Sequence, residues 1–342
     1  MNGNGSTNNK ALSSIIIMTV ILCAIVASII VIAFKIAGGD PDDTTDPNGS
    51  SSSSTTTGAD TTTGVANGFK SQTYTDSDIH IGTLAIVNAS NAYNFEAQKN
   101  TDARLYDSIP ALNGVNANRG ASSGFYAAAN NNVNLRADAI TALNNMFAAF
   151  NADGGRNDIY VWIGYRSLED QQSKYDAASE AGKKNMSAPG YSEYHTGYAF
   201  QLQFYTAEFN SDPANTEKSP YPIARDEATN NWFNLHAHEY GFIVRYPAGK
   251  GDTDFSAGIN GVFRYVGIPH ATYMWENNLC FEEYIKLVDK KTYDEPLEIK
   301  VSDDEIYSVY FAEGTEIYVP KDKPYSVSGN NSDGFIVTVT EK

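Results

Sequence analysis

At 342 residues, with a formal net charge of −17 and a pI near 4.6, the chain has no basic surface to neutralise phosphates, which excludes nucleic acid as a partner. The two cysteines, Cys23 and Cys280, cannot make a disulfide framework. A mean hydropathy of −0.37 conceals one very apolar segment.

That segment comes first in chain order. Ile15 to Phe34 is an uninterrupted run of mostly Ile, Val, Ala and Leu between Lys10 and Lys35. As a helix it is long enough to cross a hydrocarbon core of about 30 Å. It is long for a signal peptide, and no small-x-small cleavage pattern follows it. The expectation is an uncleaved transmembrane anchor over residues 15–37, with residues 1–14 as a short cytoplasmic tail and the folded part extracellular. Residues 38–70 are mostly Gly, Ser, Thr and Asp, centred on a Ser/Thr run. Such a composition buries no apolar surface and reads as a flexible tether.

Folding is expected from Ser71 onward. Ile79–Val87 reads as a strand-bearing segment, and 104–135, rich in Asn, Ala and Gly, as mostly loop. Residues 136–150 form an amphipathic helix, because Ile140, Leu143, Phe147 and Phe150 fall on one stripe. Asp153-Gly154-Gly155 ends it, and Ile159, Val161 and Ile163 then alternate as a strand. Ser167 with Asp170 gives a capping-box-like start to the next helix. After a Pro189-Gly190 turn and a polar loop, Tyr198–Tyr205 is a strand-like run. Glu227–Tyr240 reads as a helix closed by Gly241 at C′, leading into a strand at Phe242–Tyr246. Phe281–Asp289 is a short helix with Phe281, Tyr284, Ile285 and Val288 on one side. From Leu297 the pattern turns to short β runs with a strong turn at NNSDG, a small β appendage over residues 295–342.

Three stretches resemble the VanY-like zinc D-alanyl-D-alanine carboxypeptidases. Gly164-Tyr165-Arg166-Ser167 with Gln171 matches the family's G-Y-R-S-x-x-x-Q; Ser192, Gly197 and Ala199 match S-x-H-x-x-G-x-A-x-D; Arg264-Tyr265-Val266-Gly267 matches the end of E-P-W-H-x-R-Y-V-G. The piece from Glu239 through Pro247 is similar to a fourth motif. The resemblance implies an α+β fold over residues 71–294, a small antiparallel sheet with flanking helices. It also implies a substrate cleft built from Arg166, Gln171 and Ser192, whose guanidinium suits a peptide carboxylate through two charge-assisted hydrogen bonds.

The residues that carry the family's chemistry are replaced. Its three zinc ligands fall on Tyr194, Gln201 and Val262, and its general base on Ile259. Catalytic zinc takes three His, Asp, Glu or Cys ligands and lowers the pKa of a bound water, whose proton a carboxylate accepts. A phenol, an amide and two aliphatic side chains supply neither function. His195 is one residue out of register, and His236 and His238, two apart on a helix, point in different directions. The reading is therefore a family member without zinc and without a catalytic base. Its expected role is to bind peptidoglycan stem peptide or another wall component beside the membrane. A working metallo-carboxypeptidase and a structural or regulatory partner domain are the alternatives.

Overall fold

The computed structural model describes residues 68–98, 107–108, 126–128, 133–156, 158–204, 221–223, 226–250 and 261–342. The anchor expected at 15–37 and the tether at 38–70 lie outside these, apart from the last residues of the tether. Among the described residues no helix is long and apolar enough to cross a membrane.

The chain opens with β1 (Phe69–Thr73) and a 3-10 turn, Asp78–His80, then α1 (Phe95–Gln98), β2 (Asp107–Ser108), β3 (Ala127–Ala128) and β4 (Asn134–Leu135). The long helix α2 (Ala137–Ala152) follows, then β5 (Ile159–Ile163), α3 (Leu168–Ala177), α4 (Glu180–Lys183) and a 3-10 turn at Glu193–Thr196. Next come β6 (Ala199–Phe204), β7 (Tyr221–Pro222), α5 (Glu227–His236), a 3-10 turn at Ala237–Tyr240, β8 (Phe242–Val244) and β9 (Val262–Tyr265). Helices α6 (Ile268–Glu276) and α7 (Phe281–Val288) lead to β10 (Leu297–Ser302), β11 (Glu305–Glu313), β12 (Glu316–Pro320), β13 (Tyr325–Gly329) and β14 (Gly334–Thr340).

The main sheet runs β3-β5-β6-β9-β8, with β7 also on β6. All its pairs are antiparallel except β3 with β5. The stripe on α2 packs as its spacing dictates. Ile140, Leu143, Phe147 and Phe150 are all buried against Phe200, Leu202, Phe233 and Phe263. Full burial of each such side chain contributes about 1.5–3 kcal/mol. The helix ends at Asp153-Gly154, and Ser167 caps α3 by accepting from the Asp170 N–H at 3.1 Å. Gly241 closes the following turn in the left-handed region, φ +81°.

The carboxy-terminal strands form a second sheet, β10-β11-β14-β13. It is joined to the rest by one continuous core in which Leu84, Ile86, Val266, Phe281 and Ile285 meet Ile299, Val309 and Ile336. The fold begins before Ser71, because β1 starts at Phe69 and pairs antiparallel with β12. No local pattern announces that strand, since its partner lies some 250 residues away in the chain.

One expected strand is absent. Ile79–Val87 is a 3-10 turn followed by irregular chain, although Ile79, Leu84, Ala85, Ile86 and Val87 are all buried. Gly82 breaks the extended path at φ +136°, where a Cβ would lie 2.1 Å from Ser328 Oγ. The backbone groups of this segment are satisfied by tertiary partners instead of a ladder. Gly329 donates to the Ile81 carbonyl, Asn331 to that of Ile79, and Arg264 to those of Thr83 and Ala85.

Candidate functional site

Two of the three positions expected to hold zinc face each other directly. Gln201 on β6 and Val262 on β9 are cross-strand partners, and the same face carries Ala199 opposite Arg264. Tyr194 sits in the 3-10 turn that runs through Gly197 (φ +70°) into β6. The chain thus gathers Gln201 and Val262 as the motifs imply and sets Tyr194 on the turn beside them. The residues themselves do not fit a zinc ion. Val262 is buried and apolar, Gln201 offers a neutral amide, and burial pushes the Tyr194 phenol well up, away from the phenolate a metal would need. Among the described residues no group of three His, Cys, Asp or Glu is placed to hold a metal. Ile259 lies outside the described residues.

Arg166 stands over Tyr194. Its guanidinium lies 5.2 Å from the centre of the Tyr194 ring, and its backbone N–H donates to the Tyr194 carbonyl at 3.1 Å. One nitrogen, Nη1, donates to Gln171 Oε1 at 2.7 Å. The side chain makes no ion pair among the described residues, and burial pulls its pKa down. Gln171 and Ser192, expected beside it in a cleft, sit beneath the surface. Gln171 is 1% exposed and also donates to the Ser187 carbonyl at 2.5 Å, so it holds Arg166 in place. Ser192 is 2% exposed and caps the 3-10 turn by accepting from the Tyr194 N–H.

His195 is fully buried and engaged at both nitrogens. Nδ1 lies 2.7 Å from the Arg166 carbonyl, which can only accept, so Nδ1 carries the proton. Nε2 accepts from the Gly190 N–H at 3.2 Å. No lone pair is left for a metal, and burial lowers the imidazole's pKa. His236 and His238 are separate, as the helix geometry requires. His236 pairs with Glu239, and His238 stacks on Trp275 with ring centres 4.0 Å apart.

Beside the Val262 position lies a buried charge network that motif matching alone does not reveal. Glu193 receives Arg245 Nε at 2.5 Å on one carboxylate oxygen and Arg264 Nη1 on the other. Arg245 forks onto Glu282 at 2.6 and 3.1 Å. Burial alone would raise Glu282, but the pair with Arg245 outweighs it and holds that carboxyl below its usual range. All four side chains are buried. The available sequence signal was a lone arginine inside each of two apolar strand motifs, IVRYP and VFRYVG. A charge there must be paired.

The 3-10 turn Glu193–Thr196 feeds the central strand β6 of this sheet, and Arg166 stands over Tyr194 in that turn. The family model described as VanY, D-alanyl-D-alanine carboxypeptidase, matches residues 132–268. A D-alanyl-D-alanine carboxypeptidase of Enterococcus faecium is 26% identical over 280 residues, 81% of this chain and 81% of that one. The bifunctional D-Ala-D-Ala dipeptidase and carboxypeptidase VanXYC of Enterococcus gallinarum is 30% identical over 138 residues, 39% of this chain and 69% of that one. Among solved structures, the D,D-dipeptidase VanXYg in complex with a D-Ala-D-Ala phosphinate analogue is similar at TM-score 0.62 and 25% identity. That match covers 80% of this chain and 99% of the other. The chain belongs to the VanY D-alanyl-D-alanine carboxypeptidase family.

Proposed function

We propose that this protein is a membrane-anchored, extracellular, non-catalytic member of its family that binds the carboxylate end of peptidoglycan stem peptides. The observation that carries this reading is the pairing of lost and kept groups at one place. Tyr194, Gln201 and Val262 occupy the ligand positions without a metal-binding set, while Arg166 remains beside Tyr194 with only Nη1 engaged by a described side chain. A half-buried guanidinium without a carboxylate partner is suited to accept one from a ligand, in the two-pronged geometry that arginine favours. The solved relative that binds a D-Ala-D-Ala phosphinate analogue supports the choice of ligand class. The apolar run at residues 15–34 supports the anchor and a place next to the wall.

A second reading, a partner domain that no longer binds wall peptide, is favoured by the burial of Val262, Gln171 and Ser192. One experiment separates the readings. The full-length chain is incubated with zinc and desalted, its metal counted, and a peptide ending in D-Ala-D-Ala titrated in by calorimetry. Metal-free protein that binds the peptide, with affinity falling about tenfold or more in Arg166→Ala, is expected from the loss of a charge-assisted pair. Metal-free protein that ignores the peptide would leave the partner-domain reading. One retained zinc per chain together with D-alanine release would sink the non-catalytic reading altogether.

A further inference from the structure

The ribbon β1-β12 packs on one face of the carboxy-terminal sheet, where Tyr310, Val337 and Val339 meet Ile317 and Val319 in a separate apolar core. At the end of the ribbon where Phe69 pairs with Pro320, a cavity of about 280 Å³ lies between the two layers and is lined from both. None of its lining residues is among those around Arg166. Its inner wall is apolar. Tyr310 and Val339 are buried, and the half-buried rings of Phe69 and Tyr293 lie 5.2 Å apart, each 6.4 Å from Tyr310. The Tyr310 hydroxyl donates to the Tyr318 carbonyl at 2.6 Å, which fixes that ring.

The mouth is polar. Lys323, in the turn between β12 and β13, forms an ion pair with Glu341 just beyond β14, and both residues are exposed. Burial alone would raise the Glu341 carboxyl, but hydrogen bonds from Lys323 and Ser308 outweigh it and hold it below its usual range. An ammonium and a carboxylate therefore stand side by side at the edge of an aromatic floor, one donating and the other accepting. A free cation or anion would have to displace one member of that pair. The volume is also small for a peptide segment, below the usual ligand cavity of about 300–1,000 Å³.

We propose that this cavity binds one neutral sugar ring of a glycan, seated on Phe69 and Tyr293 with its hydroxyls at Lys323 and Glu341. A pyranose has the matching two-sided character. Its axial C–H bonds make an apolar face that suits the negative face of an aromatic ring, and each hydroxyl around its edge both donates and accepts. The carboxy-terminal sheet thereby gains a binding role separate from the stem-peptide place at Arg166, and either can fail alone.

The probe is chitotriose, a soluble trisaccharide of N-acetylglucosamine, added to the full-length chain and followed by ligand-observed NMR and backbone hydrogen exchange. A Kd of about 1 mM is expected for one ring held by a few hydrogen bonds. Exchange should slow at Phe69 and Lys323, and Lys323→Ala and Tyr293→Ala should each weaken binding about tenfold through loss of a charge-assisted hydrogen bond or a stacking face. A comparison of ligands keeps the test independent of variant folding. The methyl glycoside of N-acetylglucosamine should compete with the trisaccharide, and its open-chain sugar alcohol, which has hydroxyls but no ring face, should not. Equal competition by the open-chain alcohol, no detectable binding of the trisaccharide, or protection confined to residues 190–201 would overturn the proposal. Displacement of the sugar by a peptide ending in D-Ala-D-Ala would overturn the separateness of the two sites, and displacement by a proline-rich peptide would overturn the choice of occupant.

Discussion

His195 shows how a residue adjacent to a chemical position can be wholly structural. Its ring joins the Arg166 carbonyl to the Gly190 N–H and so ties the helix-entry loop to the turn that precedes β6. Removing it orphans two backbone groups in a buried setting, at about 1–3 kcal/mol. His195→Ala is therefore expected to lower the unfolding free energy read from urea titration by that amount and to leave zinc retention unchanged. A change in retained metal would mean that the ring is a ligand. The converse variant tests the neighbouring positions. Tyr194→His, Gln201→Asp and Val262→His together should retain about one zinc per chain, because three ligands with an open fourth position make a catalytic-type site. Failure to hold metal in a folded triple variant would show that the three positions do not converge.

At the scale of elements, Glu193 fastens the 3-10 turn to β8 and β9, and Glu282 fastens β8 to α7. A buried pair adds little over an apolar core, but removing one member leaves an uncompensated charge at about 3–5 kcal/mol. Glu193→Ala should thus lose most of the domain's stability in urea, and adding Arg245→Met and Arg264→Met should recover part of it. A Glu193→Ala protein as stable as the parent would remove the network from any account of the fold. The same network explains why Ile79–Val87 is irregular chain, since Arg264 supplies hydrogen bonds to the Thr83 and Ala85 carbonyls. The amphipathic helices were legible because their stripes are local, and α2 and α7 bury the residues that their spacing selects. Alternating apolar residues broken by Gly82 carry no such local decision.

For the molecule as a whole, the carboxy-terminal sheet is built into the core. Gly329 of β13 passes so close to the Ile79 carbonyl that a Cβ there would lie 2.1 Å from the oxygen. His270 of α6 lies 2.6 Å from the Tyr284 hydroxyl and 3.1 Å from the Thr338 hydroxyl of β14. Burial pulls its pKa down to about 3. The unfolded histidine, near 6.5, takes up its proton first as pH falls, so the stabilising contribution is complete above 6.5 and is lost below it. Between pH 7.5 and 5.0 this one group should cost about 2 kcal/mol. Urea midpoints at the two pH values should diverge by less in His270→Gln, and an unchanged gap would refute the assignment.

By itself the sequence determined the helices, most strands and the family, because periodicity and motif register are properties of neighbouring positions. NNSDG turns as its composition requires, with Asn330 Oδ1 accepting from the N–H groups of Ser332, Asp333 and Gly334. Tertiary structure alone decided that Gln171 and Ser192 lie beneath the surface, that β1 completes a strand pair with β12, and that four charged residues meet in the interior. The reason is separation along the chain. Burial, cross-strand pairing and ion pairing depend on which distant segment arrives, and no local window contains that information.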